Sequence, residues 1–358
     1  MNRISMAAVL ALTALVACKD DPTGETGEED CTNSVTPFPA DGELQAYFRT
    51  SVEAKLQVAV ADAAITLVDA AGAAVAGQST VTDNKVVFVP AAALSPNTEY
   101  TATLAFDCGT TDWSFTTSEV GGAVTGTLAG QVFALDLASG RFVHPEGVGD
   151  LISQFLTTQV LVTVSSQDDT AHTISMLGAI AADQLVPTDP LVQDLCTETI
   201  PFPAADFTAN PFFEIDATGS STPINVAGYS VGIQDLQLSG AFAPDASYIA
   251  GARLAGGLDT YPLATIVDAT CTELDTNGDA NPDYPGCLEA VCDLAAVIGG
   301  CEECADNTGK HCLSLDVDNI SAEEVGGTLV PRSVVDLCAD VEGCPDYDRT
   351  DCVAPTAN

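Results

Sequence analysis

The chain has 358 residues, with 51 Asp and Glu against 10 Lys and Arg, a net charge of −41 and 46% hydrophobic residues. The length sets a prior of two or three domains, and the apolar share is enough for sizeable cores. So negative a surface, with no basic patch to offset it, repels phosphate backbones and anionic head groups. It excludes nucleic-acid binding and membrane adsorption through charge, and it favours solubility.

Residues 1–17 read as a signal peptide, with Arg3 ahead of an apolar run from Met6 to Ala17. That run is shorter than the roughly 20 residues of a spanning helix. It ends in Leu15-Val16-Ala17-Cys18, which resembles a bacterial lipobox. The resemblance implies cleavage before Cys18, a diacylglycerol thioether on its sulfur and an acylated amino terminus, palmitate included. Two or more acyl chains anchor stably, at about 0.8 kcal/mol per buried methylene. Lys19 follows Cys18, whereas aspartate there would retain a lipoprotein in the inner membrane of enteric bacteria. The expected location is therefore the outer membrane, with the membrane as partner through the lipid alone.

Residues 18–34 form the lipidated cysteine and an acidic tether. Lys19 to Asp30 holds almost nothing apolar, so it cannot offset its ordering entropy. Fully extended, it spans about 40 Å.

Residues 35–119 read as a small all-β domain. Apolar runs recur between turns at Leu56–Val60, Ala64–Val68, Lys85–Val89, Tyr100–Phe106 and Asp112–Thr117, a sandwich spacing. Val87-Phe88-Val89-Pro90, then Leu94-Ser95-Pro96-Asn97-Thr98-Glu99-Tyr100, then Trp113-Ser114-Phe115-Thr116-Thr117 resemble the bacterial Ig-like domain of S-layer and other surface proteins. That resemblance implies an Ig-like β-sandwich in which Tyr100 packs at a corner and the Phe115-Thr116-Thr117 strand comes last. It also implies a spacer or binding module rather than a catalyst.

Residues 124–270, beyond a boundary marked by Gly121, Gly122 and Gly126, read as a second β-rich domain, a sandwich or barrel. The expected strands are Val132–Leu137, Val160–Val164, Thr173–Leu177, Phe212–Ile215, Tyr229–Leu238 and Tyr248–Leu254. Val148, Leu151, Ile152, Phe155 and Leu156 follow a helical period and predict one short amphipathic helix, begun by Pro145 and Glu146. The helix either packs on the core or acts as a lid over an apolar ligand.

Residues 271–358 form a cysteine-rich tail packed on that domain. Leu288 to Ile298 reads as a helix ended by Gly299-Gly300, and the rest as loops held by disulfides. Thirteen cysteines occur in all. With Cys18 lipidated, twelve remain to pair in an oxidising compartment, and sequence does not give their connectivity. Cys31 and Cys108 flank the first domain and are a candidate pair. Cys196 is expected to reach one of Cys271, Cys287, Cys292, Cys301, Cys304, Cys312, Cys338, Cys344 and Cys352.

Three segments carry candidate chemistry. From Asp275 to Asp283 an oxygen-bearing side chain stands at every second position, a spacing that suits Ca²⁺, with Asp275, Asn277, Asp279 and Asp283 as the candidate ligands. They resemble the calcium loops of dockerin-like and thrombospondin type 3-like repeats, but Ala280 stands at the usual turn glycine and Gly286 at the EF-hand glutamate. Calcium is the one cofactor suggested, against a plain Asx-rich turn. Gly228-Tyr229-Ser230-Val231-Gly232 matches a nucleophile elbow, which needs a strand before it and a helix after it. The residues after Ser230 run in an extended pattern instead. Cys301-Glu302-Glu303-Cys304 with His311-Cys312 has zinc-like spacing, though an exported chain this rich in cysteine favours disulfides.

The fold expected is mainly β, an Ig-like sandwich followed by a β-rich sandwich or barrel with one or two short helices and a disulfide-rich tail. The chain resembles the cysteine-rich, multi-domain envelope lipoproteins of myxobacteria. The function expected is non-catalytic: structural, adhesive or ligand-presenting, with an envelope protein as partner. The alternatives are a carrier binding an apolar ligand or lipid in 124–270, and an exported serine hydrolase using Ser230.

Overall fold

A computed structural model describes residues 33–107, 109–145, 159–182, 191–226, 229–263, 292, 301–305, 309 and 311–345. Cys18, Cys31, Cys108, Cys271, Cys287, Cys352, the helix expected over Val148–Leu156 and the candidate calcium ligands lie outside the described residues. No helix among the described residues is long and apolar enough to cross a membrane.

The first domain holds eight strands: β1 (Val35–Phe38), β2 (Glu43–Ala46), β3 (Val52–Leu56), β4 (Ala64–Asp69), β5 (Gly77–Thr82), β6 (Lys85–Pro90), β7 (Glu99–Phe106) and β8 (Gly109–Thr117). They form two four-stranded sheets, β1-β3-β6-β5 and β2-β8-β7-β4. Alternation explains the packing. Along β7, Tyr100, Ala102 and Leu104 are buried while Glu99 and Ala105 are exposed. The inward residues of both sheets, with Trp113 and Phe115, make one core. Tyr100 does sit at a corner: its hydroxyl accepts from the Ser95 N–H at 2.9 Å, and its ring stacks on Phe115. The strand expected over Leu56–Val60 lies earlier, at Val52–Leu56. Leu56 ends it because Asn84 closes its backbone, and Asn33 bonds Val58 on both sides of the amide.

The second domain adds β9 (Val132–Asp136), β10 (Arg141–His144), β11 (Val160–Asp168), β12 (Thr173–Ile180), β13 (Ile200–Pro201), β14 (Ala205–Asp206), β15 (Phe212–Asp216), β16 (Ser221–Val226), β17 (Tyr229–Phe242), β18 (Tyr248–Asp259) and β19 (Cys312–Glu324). Eight of them run β9-β11-β12-β14-β15-β17-β18-β19 and close, because β19 also pairs with β9. The closed path is a barrel. Eight strands leave an interior just wide enough for side chains, and here Phe133, Val162, Ile174, Phe213, Phe242, Ile249 and Ile320 are among those that fill it.

The tail is not only loops and disulfides, because β19 belongs to it. Leu313, Leu315 and Val317 alternate with Ser314, Asp316 and Asp318, a strand pattern. Asn319, at φ 54, lies where β19 carries an extra residue against β18, so Val317, Ile320 and Ala322 all reach the core. A short helix, α1 (Val334–Ala339), follows and is started by a capping box between Ser333 and Asp336.

Candidate functional site

Two places concentrate chemistry: the seam between the domains, and a cysteine cluster at one end of the barrel.

The seam is built on scarce positive charge. Arg141 on β10 donates from Nη1 to Glu53 Oε2 on β3 at 2.8 Å, and from Nε to Asp318 Oδ1 on β19 at 2.8 Å. Its guanidinium also lies 3.7 Å over the Phe38 ring. Lys85 reaches Glu53 at 2.8 Å from another side. Burial pushes the Glu53 carboxyl up, but hydrogen bonds from Arg141, Lys85 and Ser51 outweigh it and hold the group at about 2. Burial works against the Arg141 charge, yet bonds to Asp318 and Glu53 hold its pKa above the usual value. One arginine thus ties an Ig-side carboxylate to a barrel-side one.

Beside it lies an apolar contact of Phe48, Val120, Ala241 and Ala243, flanked by Tyr47, Tyr248 and Ala250. Arg49 stacks 3.8 Å over Phe212 of the barrel. The glycine-marked linker is pinned too, by Val124 N–H to Asn210 Oδ1 and Thr125 N–H to the Pro244 carbonyl. Gly251, at φ 55, faces the Tyr47 ring so closely that any β-carbon there would overlap it. Burial pushes the Tyr47 phenol up, and its hydroxyl has no hydrogen-bond partner among the described residues.

The cysteine cluster follows from pairing of β18 with β19, which sets Asp259 opposite Cys312. Three disulfides are described: Cys196–Cys344, Cys292–Cys301 and Cys304–Cys312. Cys196 therefore joins the segment before β13 to the chain after α1, and Cys338 is also disulfide-bonded. His311 is 3% exposed and packs against the Cys304–Cys312 bridge. Its Nδ1 lies 2.9 Å from Asp259 Oδ1 and 3.2 Å from Cys304 Sγ. The Thr260 hydroxyl donates to the His311 carbonyl and lies 3.3 Å from Cys292 Sγ. This is not a nucleophilic triad. Such a triad spreads nucleophile and carboxylate over opposite ring nitrogens, whereas here both lie nearest Nδ1.

Residues 31–117 match the family of the bacterial Ig-like domain. The Ig-like domain thus accounts for both sheets of the first unit. Nothing among the curated proteins matches the chain. Among solved structures, CopC from Methylosinus trichosporium OB3b is similar at 13% identity and a TM-score of 0.21, over 24% of this chain and 93% of that one. An uncharacterized protein, lmo2446 from Listeria monocytogenes EGD-e, is similar at 10% identity and a TM-score of 0.15, over 66% of this chain and 22% of that one.

Ser230 lies in β17, its backbone paired with Asn225 of β16. The strand runs on to Phe242, without the turn into a helix that an elbow needs. Sequence reading passed over Arg141, Glu53, Asp318 and Asp259. The available signal was scarcity: with ten basic residues against 51 acidic ones, an arginine flanked by apolar strand residues marks an ion pair.

Proposed function

We propose that this chain is a non-catalytic, lipid-anchored envelope protein that holds a stiff two-domain body away from the outer membrane. Its role is structural, adhesive or ligand-presenting toward another envelope protein. The observation that carries this reading is the filled barrel: Phe133, Phe213 and Phe242 occupy its centre at 0–1% exposure. The apolar-carrier alternative needs that space. The seam around Arg141 supports the stiff-body part, because a spacer transmits position only if its domains do not swing. The acyl chains on Cys18 supply attachment, and the sequence from Asp275 to Asp283 supplies candidate calcium ligands.

Fractionation of cells expressing the full chain tests the anchor. Wild type should take up radiolabelled palmitate and sediment with outer membranes, while Cys18→Ser should appear in the soluble fraction without label. A Cys18→Ser protein that stayed with the membrane would overturn the reading. Native mass spectrometry of the detergent-free Cys18→Ser protein should show the bare polypeptide mass. Stoichiometric co-purifying lipid would favour the carrier instead.

A further inference from the structure

We propose that the exposed apolar patch of Val192, Leu195, Val330, Val335 and Val341 is a docking surface for a basic amphipathic segment of another protein. This deepens the adhesive reading above and rests on it only for the partner being an envelope protein. Single exposed apolar side chains are ordinary on a protein surface, whereas a cluster of them marks an interaction site. Among the described residues eight large hydrophobic side chains are exposed, and these five lie within two short stretches, 192–195 and 330–341. The other three, Leu44, Val58 and Val89, belong to the Ig-like domain.

Folding brings the two stretches together. The Gln193 side-chain amide donates to the Val330 carbonyl at 2.8 Å and accepts from the Val330 N–H at 2.7 Å. Arg332 donates from Nε to the Leu195 carbonyl and from Nη2 to Asp340, the residue before Val341. The Cys196–Cys344 bridge links the same two parts of the chain covalently. The Asp194 N–H donates to the Ile180 carbonyl at the end of β12, which fixes the assembly to the barrel wall. The surface is therefore held in shape before a partner arrives, and that lowers the ordering cost of binding.

Packing accounts for the neighbours of these residues but not for the residues themselves. Leu191 and Leu329 pack against the barrel cluster of Val132, Ala134, Leu161 and Ala181, whereas the adjacent Val192 and Val330 are at least half exposed. On α1, Leu337 is wholly buried and Val335 is 76% exposed. The inner residue of each pair serves the fold, and the outer one buries little against it.

Charge selects the partner. Residues 191–199 and 329–345 carry five acids and one arginine, and Arg332 is already paired with Asp340. Asp194, Asp336, Asp340 and Glu342 stand next to Leu195, Val335 and Val341 in the chain. A second copy would bring the same acids against them, and an anionic lipid surface is repelled in the same way. A segment with an apolar stripe flanked by Lys and Arg matches both features, laying its stripe on the patch and its cations on the acidic rim.

The test uses the soluble Cys18→Ser chain, so its result is separate from that of the fractionation that judges the anchor. The probe is a fluorescent Leu–Lys peptide with a helical apolar stripe. It should bind about tenfold or more tightly than a peptide of the same composition with the stripe scrambled, which reports charge attraction alone. Val335→Ser/Val341→Ser should weaken that binding by about tenfold or more, because two valines no longer bury. Both side chains are exposed, so the melting temperature of this variant should match that of the parent. A photoreactive copy of the peptide should label residues 191–199 and 329–345. Equal binding of the two peptides, full affinity in the double serine variant, or labelling confined to other segments would overturn the proposal. Dimers in sedimentation velocity that the serine variant loses would overturn it in favour of a second copy. Binding to phosphatidylglycerol vesicles that the serine variant loses would overturn it in favour of lipid.

Discussion

Arg141 and Glu53 meet across the boundary between the barrel and the Ig-like domain, Nη1 to Oε2 at 2.8 Å, with the Glu53 side chain only 10% exposed. The pair ties a carboxylate of one domain to an arginine of the other and has a definite pH signature. Glu53 sits at about 2 in the folded protein against an ordinary 4.5. A depressed carboxyl contributes stability that is present above its unfolded value and lost as pH falls through the folded one. The shift corresponds to about 3 kcal/mol. Thermal melts of wild type and Glu53→Gln should therefore differ above pH 4.5 and converge toward pH 2. The variant should be less stable at neutral pH by roughly 3 kcal/mol, the low end for a broken buried pair, since Asp318 still faces Arg141. A difference that does not change with pH would show that Glu53 is not held as described.

The filled barrel predicts a large cost for emptying it. Phe242 is wholly buried, with ring centroids of Phe213 and Phe133 at 5.1 and 5.5 Å. Phe242→Ala should cost about 3–5 kcal/mol in the barrel's urea transition. A loss below about 1 kcal/mol would mean the interior is not packed around that ring.

Gly251 and Tyr47 test the apolar half of the seam. Gly251→Ala adds a β-carbon onto the Tyr47 ring at a backbone with φ 55, so the domains should part and the linker around Gly121 and Gly122 should become sensitive to protease. Tyr47→Phe should be close to neutral, or stabilising by up to about 1 kcal/mol, because it removes a buried hydroxyl that has no partner among the described residues. Faster cleavage of Tyr47→Phe than of wild type would contradict this account of the seam.

Cys196 and Cys344 close a loop with a sequence separation of 148. By chain entropy such a link contributes about 5 kcal/mol. Cys196→Ser and Cys344→Ser should each lower the unfolding midpoint by a similar amount, and the double variant should be no worse than either single one. The link works beside Arg332, whose Nε donates to the Leu195 carbonyl at 2.8 Å and whose Nη2 donates to Asp340. Additive losses in the double variant would show that the two cysteines do not act as a pair.

Much of the fold was legible because strand alternation is local. Tyr100, Ala102 and Leu104 inside against Thr101 and Thr103 outside can be read from the residues alone, and the strands at Ala64, Lys85, Val160 and Tyr248 begin where the pattern begins. β5 was missed because its Gly-Gln-Ser-Thr sequence is mostly exposed and has no apolar face. β19 was missed for a different reason. Its Leu313-Ser314-Leu315-Asp316-Val317 alternation is plain, but it sits amid cysteines whose density suggests stapled loops.

By itself the sequence determined the β class, the Ig-like unit at the start, the acidic surface and the scarcity of cations, since each is a property of neighbouring residues or of simple sums. The tertiary structure decided that the second domain is a closed barrel, that the tail supplies its closing strand against β9, and that Arg141 joins Glu53 to Asp318. Those depend on residues as far apart in sequence as Phe133 and Glu324 meeting in one register. A strand's period tells which face turns inward but not which strand lies beside it. That choice is made only when the whole sheet closes on a single packed interior.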